Sequence, residues 1–359
     1  MDSEFLQAIA PQAESFSILP PTNNWKIASW NVNGIFSLYK QGFLSHFLTK
    51  HNPTIILLSE IRIGIEKLYK CKGLHTMLEA LGYKYNYWHP MRVKHGGLHG
   101  TALLSKIKPS KVVCGYSAPD VDTIDDEGRI MNIIFPTFSI VHTYTPCSSW
   151  PEKKHQTPEQ ATAKDNIRRQ FDSDISRQIH HIQTKYALPL IWTGDRNCID
   201  QDQDVWHPDL ALPESVWAGS KKWERRNYRR LLKNRKLKDA YLNFCEDVTK
   251  PEYTYWRTPQ HWKFDEGWRL DHIVCSTELL TDGPHSHITK VNVLREVPGS
   301  DHCPLMANLH NPHSIYCATS DPPTSIPTPD SRCGTSDPQT SISRPNSLTS
   351  LLAARSYIL

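Results

Sequence analysis

Five short segments of this chain combine acids, amides and a histidine in a way that suits attack on a phosphate ester. They are Trp30-Asn31-Val32-Asn33-Gly34, Leu58-Ser59-Glu60, Thr193-Gly194-Asp195-Arg196-Asn197, Trp268-Arg269-Leu270-Asp271-His272 and Gly299-Ser300-Asp301-His302. The first three close apolar, strand-forming runs, where the loops of a sheet gather into binding sites. Taken singly, each has a plainer reading. Asn-x-Asn-Gly and Gly-Asp-x-Asn are common turns, Glu60 could cap a following helix, and Asp301-His302 could be a loop hydrogen bond. Their coincidence in one chain is what points to chemistry.

Cleaving a phosphodiester requires an activated water, shielding of the developing negative charge and stabilisation of the leaving oxygen. Mg²⁺ suits the shielding role because it takes hard oxygen ligands and keeps several waters. Glu60 is the first candidate ligand, with Asp301 and the Asn33 amide oxygen beside it; Mn²⁺ is the alternative ion. Asp195 and Asn197 stand two apart, so an extended backbone would turn both to one side. One of them could orient or deprotonate the water while the other holds it. His302, if protonated, could donate to a non-bridging phosphate oxygen, and a buried carboxylate such as Asp271 would favour that charged form. Tyr144, two residues before Pro146, offers either a phenol to the site or a core hydroxyl.

Strands are expected at Lys26 to Val32, Thr54 to Leu58, Thr101 to Leu104, Arg129 to Phe135, Phe138 to Tyr144, Leu188 to Thr193, Leu270 to Cys275 and Pro304 to Leu309. Glu159 to Tyr186 is the clearest helix, with Ile167, Phe171, Ile175, Ile179, Ile182 and Tyr186 spaced by three or four on one stripe. Strands outnumber helices without strict strand-helix alternation, which predicts a two-sheet sandwich flanked by helices. A flexible lead is expected over residues 1–24 and one catalytic domain over 25–311. Residues 312–359 are rich in Pro, Ser and Thr and repeat TSDPPTSI as TSDPQTSI, so a disordered tail is expected there.

The formal charge of +4 is mild, but residues 221–238 hold ten Lys or Arg against one Glu, a local +9 that leaves −5 for the rest. Lys221, Lys222, Arg225 and Arg229 are therefore candidates for phosphate contact on a helix whose Trp223, Leu231 and Leu232 face the core. A solvated helix face and a nuclear import signal are the other readings of this segment. Nine cysteines without a C-x-x-C pair argue against a disulfide or zinc framework and for a reducing compartment. No run approaches the roughly 18 apolar residues of a membrane span. The expectation is an intracellular monomer, in the nucleus first and the cytosol second.

The segments above, in this order, resemble the exonuclease III family of abasic-site endonucleases, within the wider endonuclease/exonuclease/phosphatase superfamily. Asp126-Glu127-Gly128-Arg129, Tyr253-Thr254-Tyr255-Trp256 and the extension Cys303-Pro304 add to the match, which runs from about Trp25 to Leu309. The resemblance implies a deoxyribonuclease-I-like, four-layer α/β sandwich: two packed mixed β-sheets flanked by helices. It also implies Mg²⁺-dependent incision of double-stranded DNA 5′ to an abasic site, with 3′-to-5′ exonuclease or 3′-end-cleaning activity as a companion. On the matched positions Glu60 is the principal metal ligand, Asp195 activates water with Asn197 as its partner, and His302 pairs with Asp271. Asn31, Tyr144 and Asp301 complete the phosphate and metal environment. Tyr255 and Trp268 line a pocket for the flipped abasic sugar.

Three positions depart from the family pattern: Asn33 for Asp, Arg62 for the usual Lys beside the glutamate, and Cys147 for the usual Asn after Tyr-x-Pro. Arg62 keeps the charge and stays a candidate substrate contact. Cys147 removes an amide donor. The competing readings are a retroelement-type or other nicking endonuclease, an inositol or lipid phosphatase, and a DNA-binding protein that keeps the fold without the chemistry.

Overall fold

The computed structural model describes residues 24–92, 97–150, 156–211, 215–282 and 286–311. Their strands are β1 (Asn24–Asn31), β2 (Ile55–Ser59), β3 (Tyr85–His89), β4 (Thr101–Ser105), β5 (Lys111–Cys114), β6 (Ile130–Ile134), β7 (Ser139–Thr143), β8 (Leu190–Asp195), β9 (Leu237–Asp239), β10 (Asp271–Ser276), β11 (His287–Val293) and β12 (Leu305–His310). The helices are α1 (Ile35–Lys40), α2 (Phe43–His51), α3 (Ile65–Lys70), α4 (Lys72–Ala80), α5 (Pro158–Tyr186), α6 (Lys222–Arg235), α7 (Ala240–Phe244) and α8 (Pro259–Phe264).

The strands form two six-stranded sheets, ordered β11-β12-β1-β2-β4-β3 and β5-β6-β7-β8-β10-β9. Each is mixed: β1 and β2 run parallel in the first, β7 and β8 in the second, and the remaining neighbours are antiparallel. Because side chains alternate across a strand, each central strand feeds two interfaces. Trp25, Ile27, Ile55, Leu57 and Leu103 point inward and meet Met131, Ile133, Ile140, Ile191, Ile273 and Cys275 of the opposite sheet. The alternate residues Ala28, Trp30, Ile56 and Leu58 face outward onto Leu44 and Phe47 of α2 and Leu74 and Leu78 of α4. On the other side Val141, Leu190, Trp192 and Val274 meet Phe171, Ile175, Ile179 and Ile182 of α5 and Tyr228 and Leu231 of α6. The result is the helix-sheet-sheet-helix sandwich expected. Burial on both faces explains why β2 reads as a continuous apolar run rather than an alternation.

All eight strand expectations are present with small changes at their ends. The four additional strands, β3, β5, β9 and β11, are the four edges of the two sheets. The long helix starts at Pro158 behind a capping box, in which the Thr157 hydroxyl accepts from Gln160 N and the Gln160 side chain accepts from Thr157 N. Its apolar stripe is narrower than predicted: Ile167 is 59% exposed and lies outside the core. The basic segment does form a helix, α6, but Trp223 packs under the Arg169 guanidinium, 3.8 Å from its ring centre, rather than in the core. All described residues fall within one compact unit. The expected lead and tail lie, apart from Asn24, outside the described residues.

The inward rows also place the chemistry. Carried to the strand ends, they turn polar: Asn31 on β1, Ser59 on β2, His142 on β7, Asp195 on β8 and Asp271 on β10. Asn31 is in register with Ser59, and Asp271 with Asp195. The site is thus the open end of the seam between the sheets. Urea unfolding should separate core from surface on α5: Ile179→Ala is expected to cost about 2–5 kcal/mol, and Ile167→Ala less than about 0.5 kcal/mol.

Candidate active site

Asn31 joins the two sheets. Its side-chain nitrogen donates to Glu60 Oε1 at 3.0 Å and to Asp195 Oδ2 at 2.9 Å, and lies 3.5 Å from His302 Nε2. Its oxygen accepts from Asn33 N at 3.1 Å, which fixes the amide's orientation, and Ser300 Oγ holds its carbonyl at 2.8 Å. Two buried carboxylates therefore share one amide group.

Glu60 sits in left-handed backbone, φ 51°, just beyond β2. Burial alone would push its carboxyl up, but the Arg62 guanidinium and hydrogen bonds from Tyr144 and Asn31 outweigh this and hold it below the usual range. Tyr144 is itself held. Its backbone exchanges hydrogen bonds with Arg129, whose guanidinium lies 4.7 Å from the centre of the phenol ring. Burial, then the Glu60 charge, raise the phenol well above its ordinary value, so it is a proton donor here.

Asp195 ends β8 at a point where the chains run unusually close: a Cβ on Gly194, φ 134°, would fall 2.0 Å from Thr143 O. Asp195 Oδ1 accepts the Asn197 backbone N–H at 2.8 Å, and Asn197 Nδ2 lies 3.4 Å from Oδ2 while donating to Thr145 O at 2.9 Å. Asn197 is the partner expected, but through a left-handed turn, φ 44°, and not by extended alternation. Burial, reinforced by Asp271 and Glu60, raises the Asp195 carboxyl to about 7.

His302 Nδ1 bonds Asp271 Oδ2 at 2.7 Å, and its Nε2 faces Asp195 at 3.9 Å. Burial alone would lower the imidazole, but the flanking Asp271 and Asp195 carboxylates outweigh it and lift the value to about 10. His302 is therefore an imidazolium aimed into the site. Tyr255 stacks at an angle on its ring, centroids 4.7 Å apart, and bridges by backbone to both Trp268 and His302. Trp268 backs onto Ile199, Val205, Ala211 and Leu270. Asn33 and Asp301 meet at 2.9 Å, partly buried, at the rim.

The basic candidates divide differently from expectation. Lys221 is buried against Ser149 and Asp165, Arg225 donates to the Asp200 and Ala211 carbonyls, and Arg229 pairs with Asp200. These three charges have internal partners that brace the helix, and the Arg229 side chain remains 49% exposed. Lys222 is exposed. Arg62 is committed in part to Glu60. Sequence reasoning gave no role to Arg129, though the Asp126-Glu127-Gly128-Arg129 motif marked it. It also missed His142, which links the sheets by approaching Leu58 O at 3.0 Å and Thr193 O at 3.2 Å. Cys147 accepts a hydrogen bond from the Trp150 indole at 3.1 Å, and burial raises its thiol to about 11.

The donor set fits a hard divalent cation. Glu60 Oε2 and Asp271 Oδ1 are buried carboxylate oxygens that accept no hydrogen bond among the described residues, although Arg62 lies against the former. Asp195, Asp271 and His302 bring potential ligand atoms within 4.8 Å of one another.

Residues 28–302 match the endonuclease/exonuclease/phosphatase family, and the chain belongs to that family of hydrolases. Among curated relatives, a DNA-(apurinic or apyrimidinic site) endonuclease of Dictyostelium discoideum is 28% identical over 284 residues, 79% of this chain and 70% of that protein. The DNA repair nuclease APEX1 of Danio rerio is 28% identical over 79% of this chain and 81% of its own length. An exodeoxyribonuclease of Bacillus subtilis is 28% identical over 78% and 97%. Among solved structures, the AP endonuclease LMAP from Leishmania major superposes with a TM-score of 0.65 at 21% identity, covering 87% of this chain and 96% of that one. The 3′ phosphatase NExo from Neisseria, in a complex with a product DNA hairpin, gives 0.63 at 20% identity over 79% and 98%. The fold is the deoxyribonuclease-I-like sandwich.

The His302–Asp271 pair makes a prediction for the metal-free protein. Since its folded value, about 10, lies above the ordinary 6.5, the pair's contribution to stability is complete below 6.5 and is lost as pH rises through 10. Imidazole NMR in EDTA should show His302 doubly protonated at pH 8, and Asp271→Asn should bring its titration down toward 6.5. A neutral His302 at pH 8 in the unsubstituted protein would contradict the assignment.

Proposed function

We propose that this chain is a Mg²⁺-dependent DNA repair endonuclease that hydrolyses the phosphodiester 5′ to an abasic site, with 3′-to-5′ exonuclease or 3′-phosphodiesterase activity at the same site. The observation that carries the reading is the Asn31 amide held between Glu60 and Asp195 beside the His302–Asp271 pair. The names of the relatives support the substrate class.

Asp195, with a proton affinity near neutrality, accepts the proton of the attacking water, and Asn197 keeps its carboxylate in place. Asn31 orients the same carboxylate from the other sheet. The His302 imidazolium, kept charged by Asp271, donates to the phosphate oxygen that gains charge. Tyr144 presents its phenol O–H between Glu60 and the phosphate. Glu60, with Asn33 and Asp301 nearby, would hold Mg²⁺, or Mn²⁺ in its place, and the ion when bound supplies charge shielding of the phosphate. Tyr255 and Trp268 wall the space where a base-free sugar fits and a base does not. Lys222, Arg62 and the half-exposed Arg229 are the candidates for contact with the DNA backbone. The enzyme acts as a monomer on double-stranded DNA, in the nucleus.

The test is a duplex carrying one synthetic abasic site, incubated with Mg²⁺ or with EDTA beside an intact duplex. Incision only of the abasic duplex and only with Mg²⁺ is expected, and Asp195→Asn should slow turnover by at least about 100-fold while leaving duplex affinity intact. Absence of metal-dependent incision by folded protein would overturn the reading. Equal cutting of both duplexes would replace it with a nicking endonuclease.

A further inference from the structure

The segment leaving β7, Tyr144 to Cys147, and the segment leaving β8, Asp195 to Asn197, carry the phenol and the water-activating carboxylate. They meet at Thr145, whose N–H donates to Asp195 O at 2.9 Å and whose carbonyl accepts Asn197 Nδ2 at 2.9 Å. Thr145 is the inner tie. An outer one comes from α5, where the Arg168 Nη1 donates to Pro146 O at 3.0 Å and to Asn197 O at 3.1 Å. Its Nε donates to Asp172 Oδ1 at 3.0 Å, and Glu224 Oε1 lies 3.5 Å from Nη1. The arginine is completely buried, 0% exposed.

Arginine is suited to this task for a geometric reason. Its planar guanidinium presents several donors in a fixed fork, so one side chain can hold two carbonyls and a carboxylate at set angles; an ammonium cannot. The carbonyl it holds at Asn197 belongs to a residue in left-handed backbone, φ 44°. That same turn aims the Asn197 N–H at Asp195 Oδ1. Glu224, the second acid on the guanidinium, also accepts from Gly219 N at 2.8 Å, and Gly219 O in turn accepts from Ile199 N at 2.8 Å, just beyond the same loop. The cation thus sits at the crossing of both strand exits and the start of α6.

We infer that Arg168 is a positioning residue for phosphodiester hydrolysis: it sets the spacing between the Tyr144–Cys147 and Asp195–Asn197 segments, and through them the rate, without touching DNA. The inference rests on the phosphodiesterase reading above. Small displacements of reacting groups have large kinetic effects, of order 100-fold for about 1 Å, so loss of the tie acts on kcat.

The experiment combines incision kinetics with hydrogen exchange in Arg168→Met, Arg168→Lys and the double variant Arg168→Met with Glu224→Gln, which removes both buried charges together and guards against misfolding. Expected for Arg168→Met and the double variant are a fall in kcat of roughly 30-fold, KM within about threefold, and faster amide exchange in residues 144–150 and 195–199 only. Arg168→Lys should recover part of kcat, because one ammonium reaches one carbonyl. Unchanged exchange in both segments, kcat within about threefold of the unsubstituted enzyme, or KM rising in step with lost kcat would overturn the inference. If the unsubstituted protein incises no DNA, the functional reading fails on its own terms, while exchange still decides whether Arg168 holds the two segments.

Discussion

Glu60 and Asp195 come from different sheets, and both end on the same amide nitrogen of Asn31. Buried carboxylates this close repel unless donors lie between them. An amide with two N–H groups is the neutral side chain that can serve both, and Asn33 N fixes which way it faces by bonding its oxygen. Everything else at the site is arranged about this contact. Arg62 and Tyr144 balance Glu60 on one side, while Asn197 and the His302 imidazolium balance Asp195 on the other. The seam between the sheets, apolar along its length, ends in a polar cluster in which most charges have a partner.

This explains what could be read from the sequence and what could not. Central strands such as β2 and β8 are buried on both faces, so they open with apolar runs, Ile55 to Leu58 and Leu190 to Trp192, that are easily recognised. The edge strands β3, β5, β9 and β11 carry intermediate or exposed residues, as in Lys111–Cys114 and His287–Val293, and alternate too weakly to stand out. Asn31, Asp195 and Asp271 were legible because they are the terminal members of inward-facing rows, polar where the spacing demands an apolar side chain. The turn geometry of Asn197 was not, since two residues of spacing fit an extended strand equally well.

The basic segment was less legible. A local excess of charge reads as a nucleic-acid surface, but Lys221, Arg225 and Arg229 each find an oxygen within the protein: Asp165, the Ala211 carbonyl and Asp200. Charge density in sequence does not reveal which partners lie across the fold. Arg168 is hidden for the same reason: nothing in its sequence neighbourhood indicates that Pro146 and Asn197 converge on it. Cys147, which replaces an amide, has instead acquired a local partner in the Trp150 indole.

The most direct test of the Asn31 bridge is single-turnover incision of an abasic duplex by Asn31→Asp, a change that keeps the shape of the side chain and replaces its donors with acceptors. Facing Glu60 and Asp195, the new carboxylate should reduce the rate by at least about 100-fold, comparable to removing a donor from a preorganised anion site. A rate within about threefold of the unsubstituted enzyme would show that the amide does not organise the two carboxylates.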